Sequence, residues 1–177
     1  MDTRKNDLNH NSPDDFKLEI DLNSSDFHAE WKRCNMVANY LADFTAYEYQ
    51  HREQAENLFS TIINELLEAV ARLAAFKSVI RLALRPQSGR LSIRVEHECQ
   101  AALVSHYTDF VQQISHQVGD SLYVNLLTEE DSGAPDFNQL GLAMIVHDFG
   151  GVIELEQRGD TPFMNTVVSI PTKEFAS

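Results

Sequence analysis

The sequence predicts an α+β domain, a two-layer sandwich in which a mixed, mostly antiparallel sheet is covered on one face by helices. Three observations lead there. Residues 55–74 carry Leu58, Phe59, Ile62, Ile63, Leu66, Leu67, Val70 and Leu73 at steps of three to four, the stripe of an amphipathic helix that buries one side. Short runs with apolar residues at every second position come in pairs around turn residues, the mark of hairpins in a half-buried antiparallel sheet. No Pro-, Gly- or Ser-rich linker interrupts the chain, so helices and strands share one core.

In chain order, residues 1–15 are rich in Asp, Asn and Ser, and a disordered tail is expected ahead of a single domain over 16–177. Residues 16–22 (Phe-Lys-Leu-Glu-Ile-Asp-Leu) alternate and predict a strand. Asn23 to Asp26 supplies a turn and helix caps, and a helix follows over 27–50 with Thr45 as its candidate break. The long amphipathic helix is expected over 52–76. Strands over 78–84 and 90–96 flank Arg85-Pro86-Gln87-Ser88-Gly89, a hairpin loop. Residues 100–116 predict a second amphipathic helix with Leu103, Tyr107, Phe110, Val111 and Ile114 inward. A strand is expected over 121–127, an acidic loop over 128–136 and a short helix over 138–148. Gly150-Gly151 ends that helix, because glycine enters the left-handed cap cheaply. Strands over 152–157 and 165–170 close the chain.

Composition narrows the function. With 177 residues and 43% hydrophobic content the chain suits one domain with a substantial core. The formal net charge of −13 repels nucleic-acid backbones and anionic lipid, so neither is an expected partner. Cys34 and Cys99 stand far apart without metal-ligand spacing, as do the seven histidines, so no metal site is expected and two reduced thiols in a cytoplasmic protein are. No apolar leader follows Met1 and no run of about 18 apolar residues occurs. Trp31, Tyr40, Tyr47 and Tyr49 are expected to pack the first two helices together.

Opposite its apolar stripe, the 52–76 helix places Glu65, Glu68, Ala69 and Arg72 at offsets of three, four and seven, one second face. Three elements in order resemble the GHKL superfamily of ATP-binding domains, which includes histidine kinases, DNA gyrase B and anti-sigma-factor serine kinases. Asn64-Glu65-Leu66-Leu67-Glu68-Ala69-Val70 is similar to the helix whose Glu and Asn face ATP and magnesium. Leu140-Gly141-Leu142-Ala143-Met144-Ile145 is similar to the Gly-rich turn that opens a helix under the phosphates. Gly150-Gly151 and the closing hairpin, ending in Ile170-Pro171, match the family's ending. Within the superfamily the chain resembles small bacterial regulators, the anti-sigma-factor kinases and the SiaB-type Ser/Thr kinases.

The resemblance implies a Bergerat-like fold, ATP and magnesium as cofactors, and partner switching with a STAS-like antagonist, a response regulator or a sigma factor. Because such regulators often pair through their N-terminal elements, it also implies the exposed apolar side of 27–50 as a homodimer surface, with a place in the core as the alternative. Glu65 would be the base, and Asn64, Glu68, Ala69, Gly141 and Leu142 would lie at the nucleotide. Such a site neutralises about four phosphate charges with magnesium, backbone amides and helix N-termini. The chain departs from the pattern in three places. With Glu65 in the Glu position, Ala69 replaces the magnesium-binding Asn; in the alternative register Asn64 and Glu68 take the two positions and no base remains. Glu96-His97-Glu98-Cys99-Gln100 stands where an Asp-x-Gly-x-Gly turn is expected, and Gln139-Leu140-Gly141 supplies one glycine where two are expected. These departures make a non-catalytic adaptor the alternative to a kinase.

Overall fold

The computed structural model describes residues 18–87, 89–115, 119–128 and 136–175. The expected tail, the first two residues of the first strand and most of the acidic loop lie outside these residues. The elements run β1 (Leu18–Asn23), α1 (Ser24–Ala29), α2 (Lys32–Ala46), α3 (Arg52–Leu73), β2 (Val79–Gln87), β3 (Arg90–Glu98), α4 (Val104–Ser115), α5 (Gly119–Thr128), α6 (Gln139–His147), β4 (Val152–Gln157) and β5 (Phe163–Pro171). The five strands form one sheet in the order β1-β2-β3-β5-β4, and every pairing is antiparallel, so the parallel component of a mixed sheet is absent among the described residues.

Alternation decides which sheet face is covered. Leu91, Ile93, Val95 and His97 of β3 are buried, as are Met164, Thr166, Val168 and Ile170 of β5, while the intervening residues are partly open. The inner residues join Phe59, Ile62, Ile63, Leu66, Leu67, Val70 and Leu73 of α3 in one apolar cluster. The other face carries Glu19, Asp21 and Arg81, where Arg81 makes a two-pronged pair with Asp21 at 2.9 and 3.0 Å. This is a two-layer α+β sandwich with helices on one face.

Helix α2 packs along α3 through Cys34, Ala38, Leu41, Ala42, Thr45 and Ala46, a mostly small-residue stripe that brings the two axes close. The expected 27–50 helix is two helices. Ser24 is fully buried and donates to Ala75 O at 2.8 Å, which starts α1 three residues early at the α3–β2 turn. The chain breaks again at Glu30, where the backbone is extended, and Trp31 meets the Arg72 guanidinium at 4.9 Å. The second break falls where Thr45 predicts it. Its hydroxyl bonds back to Leu41 O at 2.8 Å, and α2 ends one residue later. Tyr40 and Tyr47 do not pack the helix pair. They are 63% and 65% exposed, and only Trp31 and Tyr49 of the four aromatics lie against the core.

The expected strand at 121–127 is instead helix α5. Tyr and Val favour strands, but Leu122, Tyr123 and Leu126 fall on one helical side and pack against the core. Tyr123 also donates to Asp148 Oδ2 at 2.6 Å and stacks on His147, which ties α5 to the end of α6. That hydrogen bond, then one from His147, holds the Asp148 carboxyl below its ordinary range. After α6, Gly150 takes φ +60°, the left-handed cap expected of the Gly-Gly pair.

Candidate functional site

The residues singled out on α3 and α6 meet, and the residue that joins them is Asn138. It caps α6: its Oδ1 accepts the Gly141 N–H at 3.0 Å. Its Nδ2 donates to Glu65 Oε2 at 2.7 Å across 73 residues of sequence. One amide therefore closes the α6 N-terminus and holds the Glu65 carboxylate of α3. Gly141 makes this approach feasible. A Cβ there would stand 2.2 Å from Glu65 Oε2 and 2.4 Å from Asn138 Nδ2, well inside contact distance. The glycine and glutamate that the sequence marks separately are thus two halves of one close contact.

The other candidates divide between the core and the opposite side of α3. Ala69 and Leu142 are fully buried, so Ala69 does not share an open face with Glu68 and Arg72. The offsets that group these residues are correct for a helix. The face they define is split: Ala69 is buried, Glu68 half-buried and Arg72 exposed. Asn64 and Glu68, half-buried, bond to each other one turn apart, Nδ2 to Oε1 at 3.0 Å. Arg72 lies over Trp31.

Around the start of α6 the space is aromatic. Phe137 is fully buried and makes edge-to-face contacts with His106, Tyr107 and Phe110 of α4, with centroids 5.2, 5.6 and 5.5 Å apart. Gln139 and His106 are joined side chain to side chain at 3.1 Å. The Tyr107 hydroxyl meets Thr166 Oγ1 at 2.9 Å in the interior, and burial drives its pKa upward.

At the position where the resemblance expects a glycine turn after the third strand, β3 runs on through Glu98. Cys99 then bridges to Ala74, and the Gln100 N–H donates to Leu73 O at 2.8 Å, so the segment is stitched to the end of α3. Two of its side chains point inward. Cys99 is buried and its thiol is pushed up to about 11 by that burial; burial likewise takes Cys34 to about 12, with Glu68 adding to it. Both thiols stay protonated and chemically quiet.

His97 is the other. It is fully buried with no hydrogen-bond partner at either ring nitrogen, and burial lowers its pKa to about 4. The residues before it alternate cleanly in and out, so its inward placement follows from the strand period, but the sequence reading passed over it as an ordinary histidine. Asn138 was missed in the same way, being read only as the start of a helix. An Asn three residues before a glycine in a helix's first turn is the signal that could have found it.

Among the described residues, no three His, Cys, Asp or Glu side chains converge as metal ligands would, and no helix is long and apolar enough to cross a membrane. No protein-family model matches the chain, and no curated protein matches it.

Proposed function

We propose that this chain is a bacterial signalling regulator on a histidine-kinase-like ATPase fold, acting by protein binding and partner switching without turning over ATP. The observation that carries the reading is the double use of Asn138. Polyphosphate binding at a helix start needs free N-terminal amides, and the Gly141 N–H of α6 is already taken by Asn138 Oδ1. A general base needs a carboxylate in reach of its substrate, and Glu65 Oε2 is already held by Asn138 Nδ2.

The arrangement does not fit a magnesium polyphosphate. Ala69 offers no ligand atom and is buried, and Glu68, its counterpart in the alternative register, is bonded to Asn64. Without metal or free amides, a polyphosphate leaving water would lose most of its charge compensation. The clamp across α3 and α6 then serves rigidity. It locks the helical layer into a platform whose partner is a protein of the regulatory class, a STAS-like antagonist, a response regulator or a sigma factor.

Calorimetry and thermal shift with ATP and magnesium test this. The expected result is neither heat nor a shift in melting temperature. Binding tighter than about 100 μM, equivalent to about −5.5 kcal/mol, would overturn it.

One observation favours the kinase reading, namely that Glu65 and Gly141 are brought side by side. In that reading Asn138 releases Glu65 on nucleotide binding. Glu65 then serves as base for a Ser or Thr hydroxyl of the partner, and Glu65→Gln abolishes phosphoryl transfer while leaving nucleotide binding intact.

A further inference from the structure

Pleating sends every second residue of a strand to the side of the sheet that the helices leave open. On that side the two central strands carry Arg81 and Arg85 of β2 and Arg90 and Arg94 of β3, four of the nine arginines in the sequence. The edge strands carry acids there, Glu19 and Asp21 on β1 and Glu154 and Glu156 on β4. The match is incomplete. Arg81 pairs with Asp21 and Glu19 at 2.9 and 3.2 Å, and register sets Arg94 in one row with Glu19 and Glu154. Arg85 and Arg90 lie beyond the last carboxylate on either edge. Among the described residues, their rows hold Ser92, Ser169, Val152, Gln87 and Pro171, and no acid.

The two guanidiniums are held differently. Arg90 Nε and Nη2 donate to Ser169 Oγ and O at 3.0 and 3.1 Å, which fixes that side chain and leaves three of its five N–H groups for a ligand. Arg85 makes no hydrogen bond or ion pair among the described residues. Register sets it diagonal to both Arg90 and Arg94, about 7–8 Å away. Lys173 adds a cation at the β2–β3 turn, where a Cβ on Gly89 would stand 3.0 Å from its Cγ. Like charges this close repel and cost stability, and an anion seated among them reverses the sign.

We infer that this corner of the open sheet face docks an acidic segment of a partner protein, one that mixes Asp and Glu with apolar residues. Charge complementarity selects it. Guanidinium forks match carboxylates two N–H groups at a time, which a lysine patch does not do. Val152, 49% exposed, and half-open Val167 flank the arginines, and arginine beside apolar surface is what the centre of an interface favours. A small anion would stay hydrated on so flat a surface. A segment crossing three strands, about 10 Å, reaches all the arginines at once. A nucleic acid would run on past the corner, over a chain of net charge −13. The inference rests on the protein-binding reading above and adds the face and the partner's chemistry. Its test uses no nucleotide, so the two fail separately.

Fluorescence anisotropy with the full chain and a labelled peptide of repeating Asp-Glu-Glu-Leu, about 16 residues long, tests the docking. At about 0.15 M NaCl the Debye length of about 8 Å screens the distant acidic surface but not arginines in contact, and a Kd tighter than about 300 μM is expected. Arg85→Gln should weaken binding about 5-fold, and Arg85→Glu together with Arg90→Glu roughly 30-fold or more. Arg81→Gln removes the same charge as Arg85→Gln from a side chain already tied to Asp21, and should change binding less than about 2-fold. Arg85→Lys should fall between parent and Arg85→Gln, because the charge stays and the fork is lost. Circular dichroism and melting temperature confirm folding. Arg85→Gln breaks no contact, so it carries the test if the double variant unfolds.

A Kd weaker than about 300 μM overturns the proposal. So does binding that Arg85→Gln and Arg81→Gln weaken alike, since net charge alone would then explain it. Displacement of the peptide by millimolar inorganic phosphate at matched ionic strength marks a small-anion site, and tighter binding of a single-stranded DNA of similar length marks a nucleic-acid site. Either result overturns it as well.

Discussion

Two inward polar groups, set on opposite layers of this molecule, have opposite fates. Between α3 and α6, the Glu65 carboxylate, the Asn138 amide and the Gly141 N–H satisfy one another. On β3, His97 is buried with neither nitrogen bonded. Both lie in the region where the sequence departs from the ATP-binding pattern. The first shows how a polar group can be kept inside by giving it partners; the second shows what is stored when none is given. An unpaired buried polar group costs about 1–3 kcal/mol, whereas a charge-assisted hydrogen bond contributes about 1.5–3 kcal/mol. The pair therefore differs in sign at similar size.

The largest expected effect is acid lability through His97. Its pKa is 6.5 when free and about 4 when folded. Between those values the unfolded chain binds the extra proton, so stability is full above pH 6.5 and falls as pH drops toward 4. The shift corresponds to about 3 kcal/mol across that window. Urea unfolding at intervals from pH 7.5 to 4 should show this loss, and His97→Leu should remove most of it and gain about 1 kcal/mol at pH 7.5. A His97→Leu variant as acid-labile as the parent would show that the burden lies elsewhere.

Next comes Asn138→Ala, which removes a helix cap and the donor to Glu65 together. A loss of about 2–3 kcal/mol is expected, against about 1 kcal/mol for a cap alone. Chemical denaturation checks it, and Glu65→Ala in the Asn138→Ala background should add little, since the two share one interaction.

Gly141→Ala is smaller and more telling. Alanine gains about 1 kcal/mol of helix propensity, but its Cβ must displace Glu65 Oε2 and Asn138 Nδ2. A net loss of about 1 kcal/mol is expected in the parent and a net gain in the Asn138→Ala background. A gain in both would mean that the glycine is not reserved for the clamp. The smallest effect belongs to Glu68→Gln, expected within about 0.5 kcal/mol because its bond to Asn64 is local and half-open.

Much of the architecture was legible in the order of residues. The 52–73 stripe, the Gly-Gly stop after α6 and the closing hairpin all carry their period or their turn chemistry within a few positions; the hairpin between β2 and β3 does too, although its expected loop over 85–89 is too long, since Arg85, Pro86 and Gln87 pair with Ser92, Leu91 and Arg90 as strand. The failures have local causes. Residues 121–127 contain Tyr and Val, whose strand preference weighs the same in any context, while the packing of Leu122, Tyr123 and Leu126 weighs only in this one. The break at Glu30 stands next to Trp31, whose partner Arg72 lies 41 positions away in the chain.

Of the candidate site, the sequence marked Glu65 and Gly141 but not the residue between them. Helix periodicity put Ala69 beside Glu68, and it could not tell that the rest of the chain would bury that edge.

What the order of residues determined by itself is most of the elements, α5 and the division of α1 from α2 excepted, and the face each must bury, because both follow from spacing and from the hydrophobic effect acting on single segments. Only the tertiary structure decided what the polar remainder does. The capture of Glu65 by Asn138 and the isolation of His97 inside the sheet layer both depend on which segments meet, and a hydrogen bond between residues 73 apart leaves no periodic trace in either segment.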